Sequence, residues 1–377
     1  MMVSTLRAFA PTFNRYPSRA FSIKTQMGSI TRNPDAHSST SKPTETPITL
    51  REWQGWGSTS PVPTMVTEII DELKVLEKNV DAQMSFGGNG GKLQGYFKTQ
   101  EDKKHRATYK ALGSSEQKLQ FFSARQIACR LLGSRDYLCQ KCWLPVEDCM
   151  CSRVKHYSLW DGARFWLYMH PKDFLRQNNT GKLLLQVFGV EATTLSLYGI
   201  AEHEEIMWNA FKLAGKSKVC CLYPNKNATS KGIQEAFGSE LSTKQENTQQ
   251  LTDGDGILNF ILIDGTWSNS AAMFNRLKEQ AILVWGEDIP CISLSTGSSA
   301  MHKLRPQPSW DRTCTAAAAA SLLSELQIVP KFSSVDFGKQ GEALEDALEV
   351  LLEALTARRI RMGRSITRKV RHASSFC

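Results

Sequence analysis

"GILNFILIDGTW", residues 256–267, decides the fold. Its first nine residues form a nearly continuous apolar run, the pattern of a strand buried on both faces. Asp264 closes the run, and the residues after Gly265, Thr266 and Trp267 take up a helical spacing through 281. Working outward, "RFWLYMH" (164–170), "TTLSLYG" (193–199), "KVCCLYP" (218–224), "AILVW" (281–285) and "CISLS" (291–295) read as further strands. Between and after them, helices are expected from Thr180, over 202–215, over 314–326 and over 342–355. Continuous apolar strands alternating with helices indicate an α/β domain with a mainly parallel sheet and flanking helices. Its expected bounds are 121–356.

Upstream, residues 27–120 read as a linker with one amphipathic helix, carried by Val66, Ile69, Ile70, Leu73 and Leu76. "GGNGGKLQG" (87–95) lacks the GK[ST] of a phosphate loop and reads as flexible linker. The chain of 377 residues has a net charge of +9, unevenly placed. Residues 1–26 carry +4 and no acid, and residues 357–377 carry +7 and no acid, leaving −2 for the body. The Arg- and Ser-rich start has the composition of an organelle transit peptide, mitochondrial or plastid; a start at Met27 would give a cytosolic or nuclear form. The basic tail (Arg358, Arg359, Arg361, Arg364, Arg368, Lys369 and Arg371) suits a polyanion, with a solvated tail as the plain alternative. No apolar run approaches the roughly 20 residues of a membrane span.

Ten cysteines without a secretory signal point to metal or thiol chemistry rather than disulfides. Four lie in "CQKCWLPVEDCMC". Cys139 and Cys142 form a knuckle, and Cys149 and Cys151 supply two more thiolates, a set suited to structural zinc. Four reduced buried thiols or a redox pair would also explain them. Cys129, Cys220, Cys221, Cys291, Cys314 and Cys377 are expected to be core or incidental.

Ligands of open α/β sheets bind beyond the carboxyl ends of the strands, where Asp264 stands. Such a carboxylate serves as base or charge stabiliser. Gly265 allows close approach, Thr266 caps the helix or meets a ligand, and Trp267 offers a flat face to a base. Helix capping by Asp264 with Trp267 in the core accounts for the same residues. His170 follows a strand, and Asn179, Thr180 and Gly181 open a helix that favours an anion. Arg305 suits a phosphate or carboxylate.

Taken in order, the four-cysteine cluster, His170-Pro171, Asn179-Thr180-Gly181, "CLYPNKNA" (221–228), Asp264-Gly265-Thr266-Trp267 and Leu304-Arg305 before Thr315 resemble the DTW-domain family of tRNA-uridine aminocarboxypropyltransferases. The likeness covers roughly 135–326. It implies a knotted, SPOUT-like α/β domain with a zinc-knuckle-like element of four cysteines at its start. It implies S-adenosylmethionine as donor of a 3-amino-3-carboxypropyl group to N3 of a tRNA uridine. Asp264, Thr266 and Trp267 then form the catalytic set, with His170, Asn179, Thr180, Gly181, Gly265, Arg305 and Thr315 around donor and substrate. Two positions depart from the pattern. Ala317 stands where an acidic residue is usual, and Asp173 where a Glu is common. A zinc-dependent RNA-binding protein without catalysis and an S-adenosylmethionine-dependent RNA methyltransferase are the competing expectations. The sequence carries no signal of oligomeric state.

Overall fold

In the computed structural model, the described residues are 48–87, 91–223, 231–238, 256–295 and 313–365. The expected transit segment 1–26 lies outside them, as do 224–228, Arg305, Arg368, Lys369 and Arg371. The expected knot is not traced by the described residues, which leave out 296–312.

The centre is a six-stranded sheet built from β3 (Ala163–Met169), β4 (Thr193–Leu197), β5 (Val219–Leu222), β6 (Lys231–Gly232), β7 (Leu258–Asp264) and β8 (Cys291–Ser293). Its order is β4-β3-β7-β5-β8-β6, and every neighbouring pair is parallel. Phe165, Leu167 and Met169 face one side, with Phe260 and Leu262 of β7. Trp166 and Tyr168 face the other, with Ile261. This period of two places apolar residues on both faces, as a parallel sheet covered by helices requires.

Helix α6 (Ala201–Ala214) buries Met207, Trp208 and Phe211 on the Trp166 face, and α8 (Trp267–Trp285) adds Met273, Phe274 and Leu277. The Phe165 face is covered by α5 (Lys182–Ala192), α9 (Thr315–Gln327) and α10 (Phe337–Arg361). Because α5 and α6 lie on opposite faces, the chain crosses beside β3 and β7, the arrangement that opens a crevice at the strand ends. Met169 is level with both Asp264 and Leu197, so three strands end on one line.

Two expectations are corrected. "AILVW" (281–285) is the last turn and a half of α8, not a strand. Ala281 is buried, while Ile282 and Leu283 are exposed, and Gly286 ends the helix in the left-handed region (φ 73°). Apolar content alone does not separate a short strand from a helix end. Residues 48–120, expected as linker, instead hold α1 (Leu50–Gly55), α2 (Thr64–Val80), a two-residue hairpin of β1 and β2 (Phe86–Gly87 and Lys92–Leu93), α3 (Gly95–Ala111) and the start of α4 (Ser115–Ser134). The described residues, these helices included, fall in one compact unit. The expected stripe of α2 is present, and its Val66, Ile69, Ile70 and Leu73 are buried. Helix α4 begins with a reciprocal capping box between Ser114 and Gln117.

The segment before α2 is pinned by Trp53, whose ring packs at 5.9 Å from Phe174 and 5.7 Å from His203. His203 Nδ1 accepts from the Leu197 N–H, so its Nε2 carries the proton and donates to Ser60 Oγ at 2.7 Å. Among the described residues, no helix is long and apolar enough to cross a membrane.

Candidate functional site

Asp264, the last residue of β7, is buried, with its carboxylate held from two sides. Asn179 Nδ2 donates to Oδ2 at 2.6 Å and Thr315 Oγ1 donates to Oδ1 at 2.8 Å. A third segment joins through the backbone, as His170 N donates to Asp264 O at 2.8 Å. Three stretches far apart in sequence, around 170–179, 264 and 315, therefore meet at one acid. Asp264 does not cap α8: Thr266 occupies that position, and its hydroxyl pairs with Ser268 Oγ at 2.9 Å without bonding a helix N–H. Just before α5, Asn179 Oδ1 accepts from Lys182 N, the first residue of that helix, at 3.0 Å.

A cleft opens at this end of the sheet, lined by Asp264, Gly265, Trp267, Asn179, Thr180 and Thr315, with Asp173, Tyr223, Leu294 and Cys314 among its other walls. Its mouth is open to solvent, and its walls combine apolar side chains with convergent polar groups, the make-up of a small-molecule site. Trp267 is half-buried at its side. Cys314, expected to be incidental, lies on the wall.

Gly181 is required by space. A Cβ there would sit 2.6 Å from Asp264 Oδ2 and 2.7 Å from Leu167 Cδ1. Neither neighbour has room to retreat, since both residues are buried. Gly181→Ala is expected to cost roughly 1–3 kcal/mol of stability through overpacking and to displace the Asp264 carboxylate. Denaturant unfolding checks the first effect, and a crystal structure of the variant the second. Gly265 has no positive φ; a Cβ there would lie 3.2 Å from Met273 Sδ and 3.4 Å from His170 Cβ. Its smallness, not its turn geometry, is what the site uses.

His170 sits behind the cleft rather than on its wall. Its ring stacks on Tyr198 at 5.7 Å, and its Nδ1 accepts from Lys172 N at 3.2 Å. Burial pulls its pKa down to about 4, so it is neutral at pH 7. Asp173 is buried; its Oδ1 accepts from Arg176 at 2.8 Å. Arg130 of α4, which sequence reasoning missed, donates to Phe174 O at 3.0 Å and also to Lys172 O, tying down this turn. Its signal was absent from any motif, and the reading of the sequence named no element between Phe121 and the Cys cluster. Ala317 packs into the core, while its neighbour Ala318 lines the cleft.

The four cysteines converge. Cys139 Sγ lies 3.6 Å from Cys151 Sγ and 3.5 Å from Cys149 Sγ, and Cys142 Sγ lies 3.9 Å from Cys149 Sγ. All four lie within 4.8 Å of one another. Zinc bonds of about 2.3 Å give a tetrahedron with edges of about 3.8 Å, so the set fits. The thiols are also in conflict. The bond from Cys151 pulls Cys142 down to about 4, with backbone N–H groups of Met150 and Leu144 assisting, and the same pairing pushes Cys151 up. A dication resolves that competition by binding every sulfur as thiolate. The group thus suits a closed metal site, zinc above all, with no position left for substrate.

Part of the expected RNA-binding tail is helix. Arg358 and Arg361 end α10 and reach the Cys loop. Arg361 pairs with Asp148 at 2.6 Å and Glu147 at 2.9 Å, and Arg358 donates to Tyr137 Oη at 3.0 Å. These two side chains are committed to the fold, unlike the free tail expected. Arg359 belongs to the same last turn, and Arg364 follows it.

The DTW domain family matches residues 136–360. The chain belongs to the DTW-domain family. The match spans the Cys loop, the whole sheet and nearly all of α10, and so contains both the cleft and the metal group. Membership supports a tRNA-modifying role in general. No solved structure matches the chain.

Proposed function

We propose that the DTW cleft binds S-adenosylmethionine and transfers its 3-amino-3-carboxypropyl group to N3 of a uridine in tRNA. The observation that carries this reading is the meeting of Asn179, Thr315 and the Asp264-Gly265-Thr266-Trp267 motif on one carboxylate at the strand ends. In the transfer, a C–N bond forms at N3 and the C–S bond at the methionine-side methylene breaks. Its electron pair returns to sulfur, leaving neutral methylthioadenosine, and N3 gives up its proton.

Each residue has a part in that step. Asp264 holds the uracil N3–H or receives its proton, and its negative charge suits a sulfonium donor beside it. Asn179 and Thr315 fix the carboxylate, which leaves little reorganisation to the reaction. Trp267 presents a face on which a base stacks. Thr180, Gly181 and Gly265 shape the wall. Arg305 grips the donor carboxylate or a phosphate. N3 lies on the pairing edge, so the uridine is unpaired or turned out of its stack. Arg359, Arg364, Arg368, Lys369 and Arg371 hold the tRNA backbone in a salt-dependent manner. Zinc on Cys139, Cys142, Cys149 and Cys151 is structural.

One assay tests the reaction class. Unmodified tRNA is incubated with the enzyme and donor labelled either on the methyl or on the carboxypropyl carbons. Carboxypropyl label in the tRNA is the expected result. Methyl label instead identifies a methyltransferase, and tRNA binding with neither label identifies a binding protein.

A further inference from the structure

Lys182 stands between the two sites and belongs to neither. It is wholly buried at the start of α5. Its Nζ donates to Gln177 O at 2.7 Å, and among the described residues no carboxylate pairs with it. An ammonium group in that setting requires a counter-anion. One turn further along, Gln186 Nε2 donates to Cys151 Sγ at 3.6 Å. Residues four apart share a helix face, so the face that carries Lys182 looks onto the thiol cluster. The negative groups whose charge reaches its ammonium are the thiolates of that cluster, Cys142 first. Four thiolates around one divalent ion keep two negative charges in excess, which a neighbouring ammonium offsets.

The backbone of the same residue is bonded to a residue of the cleft wall, Asn179. Lys182 N donates to Asn179 Oδ1, and Asn179 Nδ2 donates to Asp264 Oδ2. The Gln177 carbonyl that receives Nζ lies two residues before Asn179, so both ends of Lys182 grip the turn that presents Asn179.

We infer that Lys182 is the counter-cation of the metal–thiolate cluster and the positioning residue that makes the Asn179–Asp264 contact depend on metal loading. The inference rests on metal occupancy of the four-cysteine group and is independent of which reaction the cleft performs. It turns a structural metal into a control on the cleft.

The test uses the full chain loaded with zinc. Lys182→Met keeps the length of the side chain and removes its charge. Competition with a chromophoric chelator is expected to show zinc held about 10–100-fold more weakly than in the parent chain. A residue that only fills space would lower the melting temperature and leave zinc affinity unchanged, which overturns the inference. A second measurement needs no variant. Zinc is removed from the parent chain and hydrogen exchange is followed by peptide. Exchange over 177–184 is expected to rise at least about tenfold, as local opening does, while the β3 and β7 peptides stay protected. No change over 177–184, or equal loss across β3 and β7, overturns the link. A parent chain that takes up no stoichiometric zinc overturns it as well.

Discussion

Cys139→Ser is expected to abolish stoichiometric metal binding and to loosen the whole segment from Leu138 to Gly162. That segment has little regular structure of its own: one three-residue 3-10 turn at Val146–Asp148 and a single bridge between Leu138 and Pro145. Its other internal bonds are few, among them Cys139 N to Leu144 O and Trp143 N to Cys139 O, both 2.8 Å. Trp143 adopts a positive φ of 54° to enter the core, where its ring meets Phe174 edge-on at 5.6 Å. A non-glycine residue in that conformation needs its surroundings to hold it. The metal cross-link supplies the hold, since binding free energy at a structural zinc site becomes folding free energy. Losing one of four ligands is expected to lower the melting temperature by on the order of 10 °C. Removing zinc from the parent chain by chelation is expected to reproduce the shift. Calorimetry with and without chelator, beside metal analysis, checks both statements. Equal melting curves for parent and variant at full metal load would show that the four thiols are only core residues. The ion pair of Arg361 with Glu147 does not substitute for the metal, because both partners are exposed and exposed pairs contribute little.

The sequence was most readable where one physical rule acted alone. Five of the sheet's strands and most of the helices announced themselves through apolar runs and spacing, because a parallel sheet covered on both faces leaves few polar interruptions. The Cys spacing was readable because a tetrahedral ion needs its ligands in close pairs. Asp264 was visible as an acid at a strand end, but its partners were not. Asn179 and Thr315 lie 85 and 51 residues away, and only the parallel register brings them to it. The N-terminal helices were misjudged for a compositional reason. Helix α3 is strongly polar and buries only Phe97 and Glu101, so no apolar stripe marks it. Helix α4 did carry a signal, the Ser114–Gln117 capping box, which a scan for helix starts would find. In the tail, charge alone was read, and the helix that carries its first arginines was not. The leucine stripe of α10 continues into the arginines, so Arg358 and Arg361 fall on a helix above the Cys loop. Lys182 was hidden by type, since a lysine among leucines reads as a solvated side chain until the fold buries it.

Asp264→Asn is expected to reduce transfer to tRNA by roughly a hundredfold or more, the scale on which a positioned proton acceptor acts, with little change in stability. The argument for a folded variant lies in its hydrogen bonds. An asparagine keeps one oxygen, which still accepts from Asn179 Nδ2. Its amide nitrogen then faces Thr315, whose hydroxyl reverses to accept instead of donate. Geometry survives and the negative charge does not, so the substitution isolates the charge. Asn179→Ala does the opposite. It leaves the acid in place but strips one of its donors, at a stability cost of about 1–3 kcal/mol, and lets the carboxylate move. Transfer falls in both variants for different reasons acting through one group. The double variant is therefore expected to be little worse than Asp264→Asn alone, because Asn179 has nothing left to position. Additive losses would mean that Asn179 contacts the ligand in its own right. Full transfer activity in a folded Asp264→Asn chain would reduce Asp264 to a strut between β7, α5 and α9. The catalytic charge would then have to be sought elsewhere on the cleft wall, and Asp173, buried beside Arg176, is the next acid in reach.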